Sequence, residues 1–352
     1  MQDIFSKFNI TKDLYPIIYG YLSNSHKFIL ELDNTKFSET NLIKYDSGLM
    51  CYCIRNDIII NPHRSIIKCA KFGKFKNMIW LFNNKYASYY EFKPSNSWVF
   101  SHAAEYGDLK IMKWLLKKNF RRNSNVFASA ARNGNLNNMK WLLENNFEHN
   151  HETFTNAAEN GNLDNMKWLL ENNFEHNVDT FASAAKNGNL DNMKWLLKNN
   201  FEHDEFTFAS AAMNGNLDNM KWLLENKFKH DSRTFSCAAL NGNLDNMKWL
   251  LENNFEHDSY TFVNAARNGN LDNMKWLLKN NFKHDSRTFS YACANGNLEN
   301  VKWLHENNFE YDDYYVFDYA GRNPQIVEWL LENNFKNNYT NFYCRSRAML
   351  LT

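Results

Sequence analysis

The chain has 352 residues, and its 40 basic and 39 acidic side chains leave a formal net charge of +1, so no global field steers it onto nucleic acid or an anionic membrane. Six cysteines at irregular spacings, without a CxxC pair, argue against a disulfide or zinc framework and for buried thiols in a reducing, intracellular setting. No apolar run approaches the roughly 18 residues of a membrane span, and the start, MQDIFSKFNITKDLY, lacks the basic opening and apolar core of a secretory signal.

Taken in order, residues 1–62 form a separate N-terminal segment. Leu14, Ile17, Ile18, Tyr21 and Leu22 lie at helical spacing within Asp13 to Leu22, which predicts an amphipathic helix, with a second around Phe28 to Leu32. The β-branched run from Asp57 to Ile60 stops at Asn61-Pro62 and reads as a short strand or an extended linker. From residue 63 to about 341 the chain repeats itself. A degenerate unit, CAKFGKFKNMIWLF, comes first, followed by a longer connection at Lys85 to Ser97 with room for an extra turn or hairpin. Eight units then keep strict register, with Trp114, Trp141, Trp168, Trp195, Trp222, Trp249, Trp276 and Trp303 every 27 residues. A shortened unit spans Phe317 to Phe335, where Pro324 replaces the usual Asn-Leu step. Residues 342–352 read as a C-terminal capping helix, in which Arg345 and Ser346 take the places of paired alanines. A fixed period of this size predicts a stacked array of about ten units.

The unit of Trp276 shows why each copy should fold as two helices. Phe262, Ala265 and Ala266 share one arc of about 100° at 3.6 residues per turn, while Val263, Asn264 and Arg267 are expected to point away. Asp258 or Thr261 is the candidate N-cap, and Asn268-Gly269 the stop. Asn270 can cap a second helix, LDNMKWLLKNN, with Leu271, Met274, Leu277 and Leu278 as its apolar stripe, and Asn281 sits where a left-handed residue ends it.

TFVNAARNGNLDNMKWLLKNNF resembles the ankyrin repeat, with Ala265-Ala266 at the family's Ala-Ala, Gly269 to Asp272 at its Gly-His-Leu-Glu and Lys275 to Leu278 at its Lys-Leu-Leu-Leu. The resemblance covers roughly residues 65 to 350. It implies an all-α solenoid of helix-turn-helix units. The 27-residue period falls short of the family's usual 33, and the missing residues lie where β-hairpin fingers would be, so the hairpins are expected to be reduced or absent. Short units of this kind resemble those common in giant DNA viruses and amoebae, where they act as binding modules without catalysis.

Residues that recur in every copy are those the stack needs. Six histidines (His149, His176, His203, His230, His257 and His284) share the period. Packed helices lie about 8–10 Å apart, too far for one histidine per unit to share a zinc, so the ladder reads as turn residues bonding local backbone, with a pH-sensitive stack as the alternative. The tryptophans read as packing, with a stacking platform as the alternative. No phosphate loop, HExxH or GxSxG stands out, and a repeated residue is a poor catalyst because an active site needs one unique geometry.

Outward positions that differ between copies are free to suit a ligand. Phe206, Met213, Arg233, Leu240, Tyr260, Asn264, Arg267, Arg287, Tyr291 and Tyr314 mix aromatic, aliphatic and Arg side chains, the composition of interface anchors. We therefore expect a non-catalytic, monomeric scaffold without metal or cofactor, binding a protein along its first helices and their turns, with neutral drift on an exposed face as the bland reading. Three alternatives stand beside it. Asp13 to Leu22 is similar to the first helix of an F-box without its Leu-Pro opening, which implies a substrate adaptor reaching the linker protein of a ubiquitin ligase. The others are a purely structural array and an enzyme whose residues lie in 1–62, a segment too short for a core of its own.

Overall fold

The structure, a computed structural model, describes residues 62–83, 97–321 and 323–336. The helix expected at Asp13 to Leu22, the strand or linker at 57–60, the extra turn in the connection after Lys85 and the capping helix from 342 lie outside the described residues.

Among the described residues ten helix pairs follow one another, in two compact units divided after His176. The first unit contains α1 (Pro62–Lys71) and α2 (Phe75–Asn83), α3 (Ser97–Tyr106) and α4 (Leu109–Lys117), α5 (Asn125–Asn133) and α6 (Leu136–Glu144), and α7 (Glu152–Asn160) and α8 (Leu163–Glu171). The second contains α9 (Val178–Asn187) and α10 (Leu190–Lys198), α11 (Glu205–Asn214) and α12 (Leu217–Glu225), α13 (Ser232–Asn241) and α14 (Leu244–Glu252), α15 (Ser259–Asn268) and α16 (Leu271–Lys279), α17 (Arg287–Asn295) and α18 (Leu298–Glu306), and α19 (Asp313–Ala320) and α20 (Pro324–Glu332). In each unit the main packing is first helix against first helix, α3 on α5 on α7 and α9 on α11 through to α19. No strand occurs among the described residues, so the expected loss of the hairpin fingers holds there.

The local chemistry follows the sequence closely. Asp258 caps α15 by accepting from the Tyr260 amide at 3.0 Å, whereas Thr261, the other candidate, is fully buried with its hydroxyl unpartnered. Gly269 ends the helix at φ +88°, and Asn270 caps α16 by accepting from the Asp272 and Asn273 amides. Asn281, at φ +59°, closes α16: its amide reaches the Leu278 carbonyl, and the Phe282 amide the Leu277 carbonyl, both at 3.1 Å. That is the Schellman pattern, and it drives Phe282 inward to 3% exposure. In the shortened last pair Pro324 starts α20 and Gly321 stays right-handed, at φ −56°.

Two expectations change. Val263 was expected to face outward and is buried, because the first helix is flanked by neighbours on both sides and buries a wider arc than a two-helix packing needs. The histidines also pack on rings, a contact that the reading as turn residues did not include. His257 stacks on Phe282 with ring centroids 4.0 Å apart and meets Phe235 edge-on at 5.7 Å. His203 does the same with Phe228 and Phe181, and His149 with Phe174 and Phe127. An imidazole can cover an apolar ring with one face and leave the other in water, which a backbone-bonded turn residue does not require.

Asparagine stitches the copies together. Asn273 Nδ2 donates to the Gly242 carbonyl at 2.7 Å, as Asn246 does to Gly215 and Asn219 to Gly188. Asn268 lies over Gly242 and donates to the Leu240 carbonyl at 3.1 Å. A side chain at Gly242 would meet Asn268 at 2.6 Å, so glycine is needed there for space as well as for its φ of +90°.

Candidate partner-binding face

With the stack accounted for, the remaining side chains of the second unit sort into rows on the first helices. Phe206, Arg233, Tyr260, Arg287 and Tyr314 occupy the first turn of α11, α13, α15, α17 and α19. Asn264 and Tyr291 lie one turn further along α15 and α17, and Met213, Leu240 and Arg267 near the C-terminal ends of α11, α13 and α15. Each first turn is fixed by its aspartate cap, because Asp204, Asp231, Asp258 and Asp312 accept from the amides of Phe206, Arg233, Tyr260 and Tyr314.

Exposure separates these residues. Phe206, Tyr260 and Tyr314 are 51%, 53% and 51% exposed and Met213 40%, whereas Thr207, Thr234, Thr261 and Thr288 beside the first row are fully buried. Leu240 and Asn264 are half-buried, and the Asn264 amide is engaged, donating to the Ser236 carbonyl at 3.0 Å. That position therefore ties α15 to α13 as well as touching the surface.

The structure pairs residues that the sequence offered singly. The Arg233 guanidinium lies 3.7 Å from the centre of the Phe206 ring, and Arg287 lies 4.1 Å from that of Tyr260. Each guanidinium is held on one edge by the aspartate two residues before it. Arg233 Nε donates to Asp231 Oδ2 at 2.7 Å and its Nη2 to the same oxygen, while Arg287 Nε donates to Asp285 Oδ1 at 3.0 Å and Nη2 to Oδ2. These hydrogen bonds hold both carboxyls below the ordinary carboxylate range and raise both guanidinium pKa values, and Tyr260 adds a further bond to Arg287. Further along, Arg267 sits 5.9 Å from the Tyr291 ring, which meets Tyr319 edge-on at 5.1 Å. The Tyr291–Tyr319 hydrogen bond raises the Tyr319 phenol.

Asp231, Asp285 and Tyr319 are members of this face that sequence reasoning passed over. The signal for the two aspartates was there: the string KHDSRTFS stands at residues 229–236 and again at 283–290. Cys237, between the rows, is half-buried, and burial raises its thiol; the Cys293 thiol is pushed up to about 12, also by burial. Neither carries the thiolate that nucleophilic chemistry needs.

The family model for ankyrin repeats matches in three copies, over residues 100–181, 181–261 and 262–341. The chain belongs to the ankyrin-repeat family. No curated protein matches it in sequence. Among solved structures it is similar to the pentatricopeptide repeat protein PPR10 from maize, at 10% identity and a TM-score of 0.37, covering 90% of this chain and 55% of that one. The same protein in complex with an 18-nt psaJ RNA element gives 9% identity, a TM-score of 0.37 and coverage of 90% and 54%. The chain thus spans about half the length of these neighbours, and a likeness of this size carries no argument about fold or ligand. Among the described residues of this ankyrin-repeat chain, no helix is long and apolar enough to cross a membrane.

Proposed function

We propose that this ankyrin-repeat protein is a non-catalytic scaffold that binds a protein partner along the first-turn row of its second unit. The observation that supports this most is the half exposure of Phe206, Tyr260 and Tyr314 at one register, beside threonines that are wholly buried. Large aromatic rings left in water at one register of successive repeats, interleaved with arginines, have the composition of interface hot spots. Drift on a solvated face would not select aromatic and Arg in alternation at 206, 233, 260, 287 and 314.

The test is quantitative affinity purification of the tagged full chain against two variants. Phe206→Ala with Tyr260→Ala and Tyr314→Ala should lose the proteins recovered with the parent chain. Lys221→Ala with Lys248→Ala and Lys275→Ala, on exposed positions of the second helices, should retain them. Equal recovery by both variants would show that the partner binds elsewhere. Repeating the purification without residues 1–62 separates a simple binder from a ubiquitin-ligase adaptor, since only an adaptor loses the ligase linker protein.

A further inference from the structure

The first-turn row has a second period. Aromatic and arginine alternate along it, and within residues 201–290 a longer string recurs once at a 54-residue step: FKHDSRTFS at 228–236 and 282–290 follows FEHD at 201–204 and 255–258. The structure turns this into two copies of one device, Phe206–Asp231–Arg233 and Tyr260–Asp285–Arg287. In each, the ring lies against the guanidinium face and the aspartate holds one edge. A guanidinium has five N–H donors in a rigid fork. Asp231 takes two of those of Arg233, and Asp285 and Ser259 take the Nε and Nη2 donors of Arg287, so each arginine keeps at least one N–H unused.

An arginine held this way has already lost its rotamer freedom, so an acceptor that meets it does not have to order it. The half-exposed ring beside each fork offers an apolar wall to the short methylene stem of an acidic side chain. We propose, resting on the protein-binding reading above, that the two devices are equivalent subsites for acidic side chains, glutamate above all, of one extended peptide segment. Neighbouring first helices at the ordinary 8–10 Å put the subsites about 16–20 Å apart. An extended chain covers that in about five or six residues at roughly 3.3 Å each, and a spacing of about six puts both acidic side chains on the same face of the strand.

The experiment is selection of random display peptides on the full chain and on Arg233→Lys with Arg287→Lys, which keeps both charges and removes both forks. The expected result is enrichment of paired acidic residues about six positions apart on the parent chain. A synthetic peptide carrying that pair should bind roughly tenfold more weakly when one glutamate becomes glutamine, and similarly to either single lysine variant. Enrichment without acidic pairs, or pairs that survive in the lysine double variant, overturns the proposal. If the selected peptides are apolar and are lost with Phe206→Ala and Tyr260→Ala, the partner-binding face stands and only its acidic specificity falls; if the alanine variants lose nothing either, the face falls too.

Discussion

At the level of single residues, the caps and the rings set the sharpest expectations. Asp258→Ala should destabilise the chain by about 1 kcal/mol in urea titrations, whereas Asp258→Asn, an equally good cap, should stay near the parent value. Either change also removes a carboxylate that accepts from Ser232 at 2.9 Å, so the alanine–asparagine difference isolates the cap. His203 and His257 each pack one ring face on phenylalanine, and burial lowers their pKa against the opposing pull of Asp204 and Asp258. A histidine held neutral contributes stability that is fully present above its unfolded pKa near 6.5 and is lost as pH falls through the lowered folded value. The midpoint of thermal unfolding should therefore drop between neutral pH and pH 5, and drop less in a His203→Gln, His257→Gln variant. Asp258 as cap was legible in its sequence position, but the stacked imidazole was not, because its partner Phe282 lies 25 residues downstream of His257.

At the level of helices and turns, the seam between copies is the point of failure. Asn273→Leu removes the bond from a fully buried side chain to the half-buried Gly242 carbonyl and should cost about 1 kcal/mol, the net worth of a typical hydrogen bond. Two glycines at matching helix ends should respond in opposite ways. Gly242→Ala should be destabilising by roughly 1–3 kcal/mol, because its φ is +90° and Asn268 occupies the space of a side chain. Gly321→Ala should be neutral or slightly stabilising, because that residue is right-handed and its nearest neighbour would be 3.4 Å away. Thermal melts of the two variants side by side check the contrast. The helix boundaries could be read from NGN and NNF in each copy; the role of the asparagines could not, since cap and seam residues both appear simply as letters that never change.

At the level of the whole chain, the 54-residue period makes a deletion the most direct test. Removing residues 231–284 joins His230 to Asp285 and restores the string KHDSRTFS without a scar. The shortened chain should fold cooperatively, with a urea m-value reduced roughly in proportion to the surface lost, and should keep one device in which Arg287 lies against Phe206. A chain that fails to fold would show that neighbouring copies are not interchangeable. The sequence by itself determined the helix pairs, their order and, among the described residues, the absence of hairpin fingers, because caps, left-handed stops and apolar stripes act within one copy and are written there in full. It also marked the variable row from Phe206 to Tyr314. Only the tertiary structure decided how that row is used. It set Arg233 on Phe206 and Arg287 on Tyr260, bound each to its aspartate, and turned Asn264 toward Ser236. The ring–arginine and Asn264–Ser236 contacts join residues one repeat apart and form only when stacking brings the first helices of neighbouring copies side by side, whereas each arginine–aspartate pair lies two residues apart within one turn.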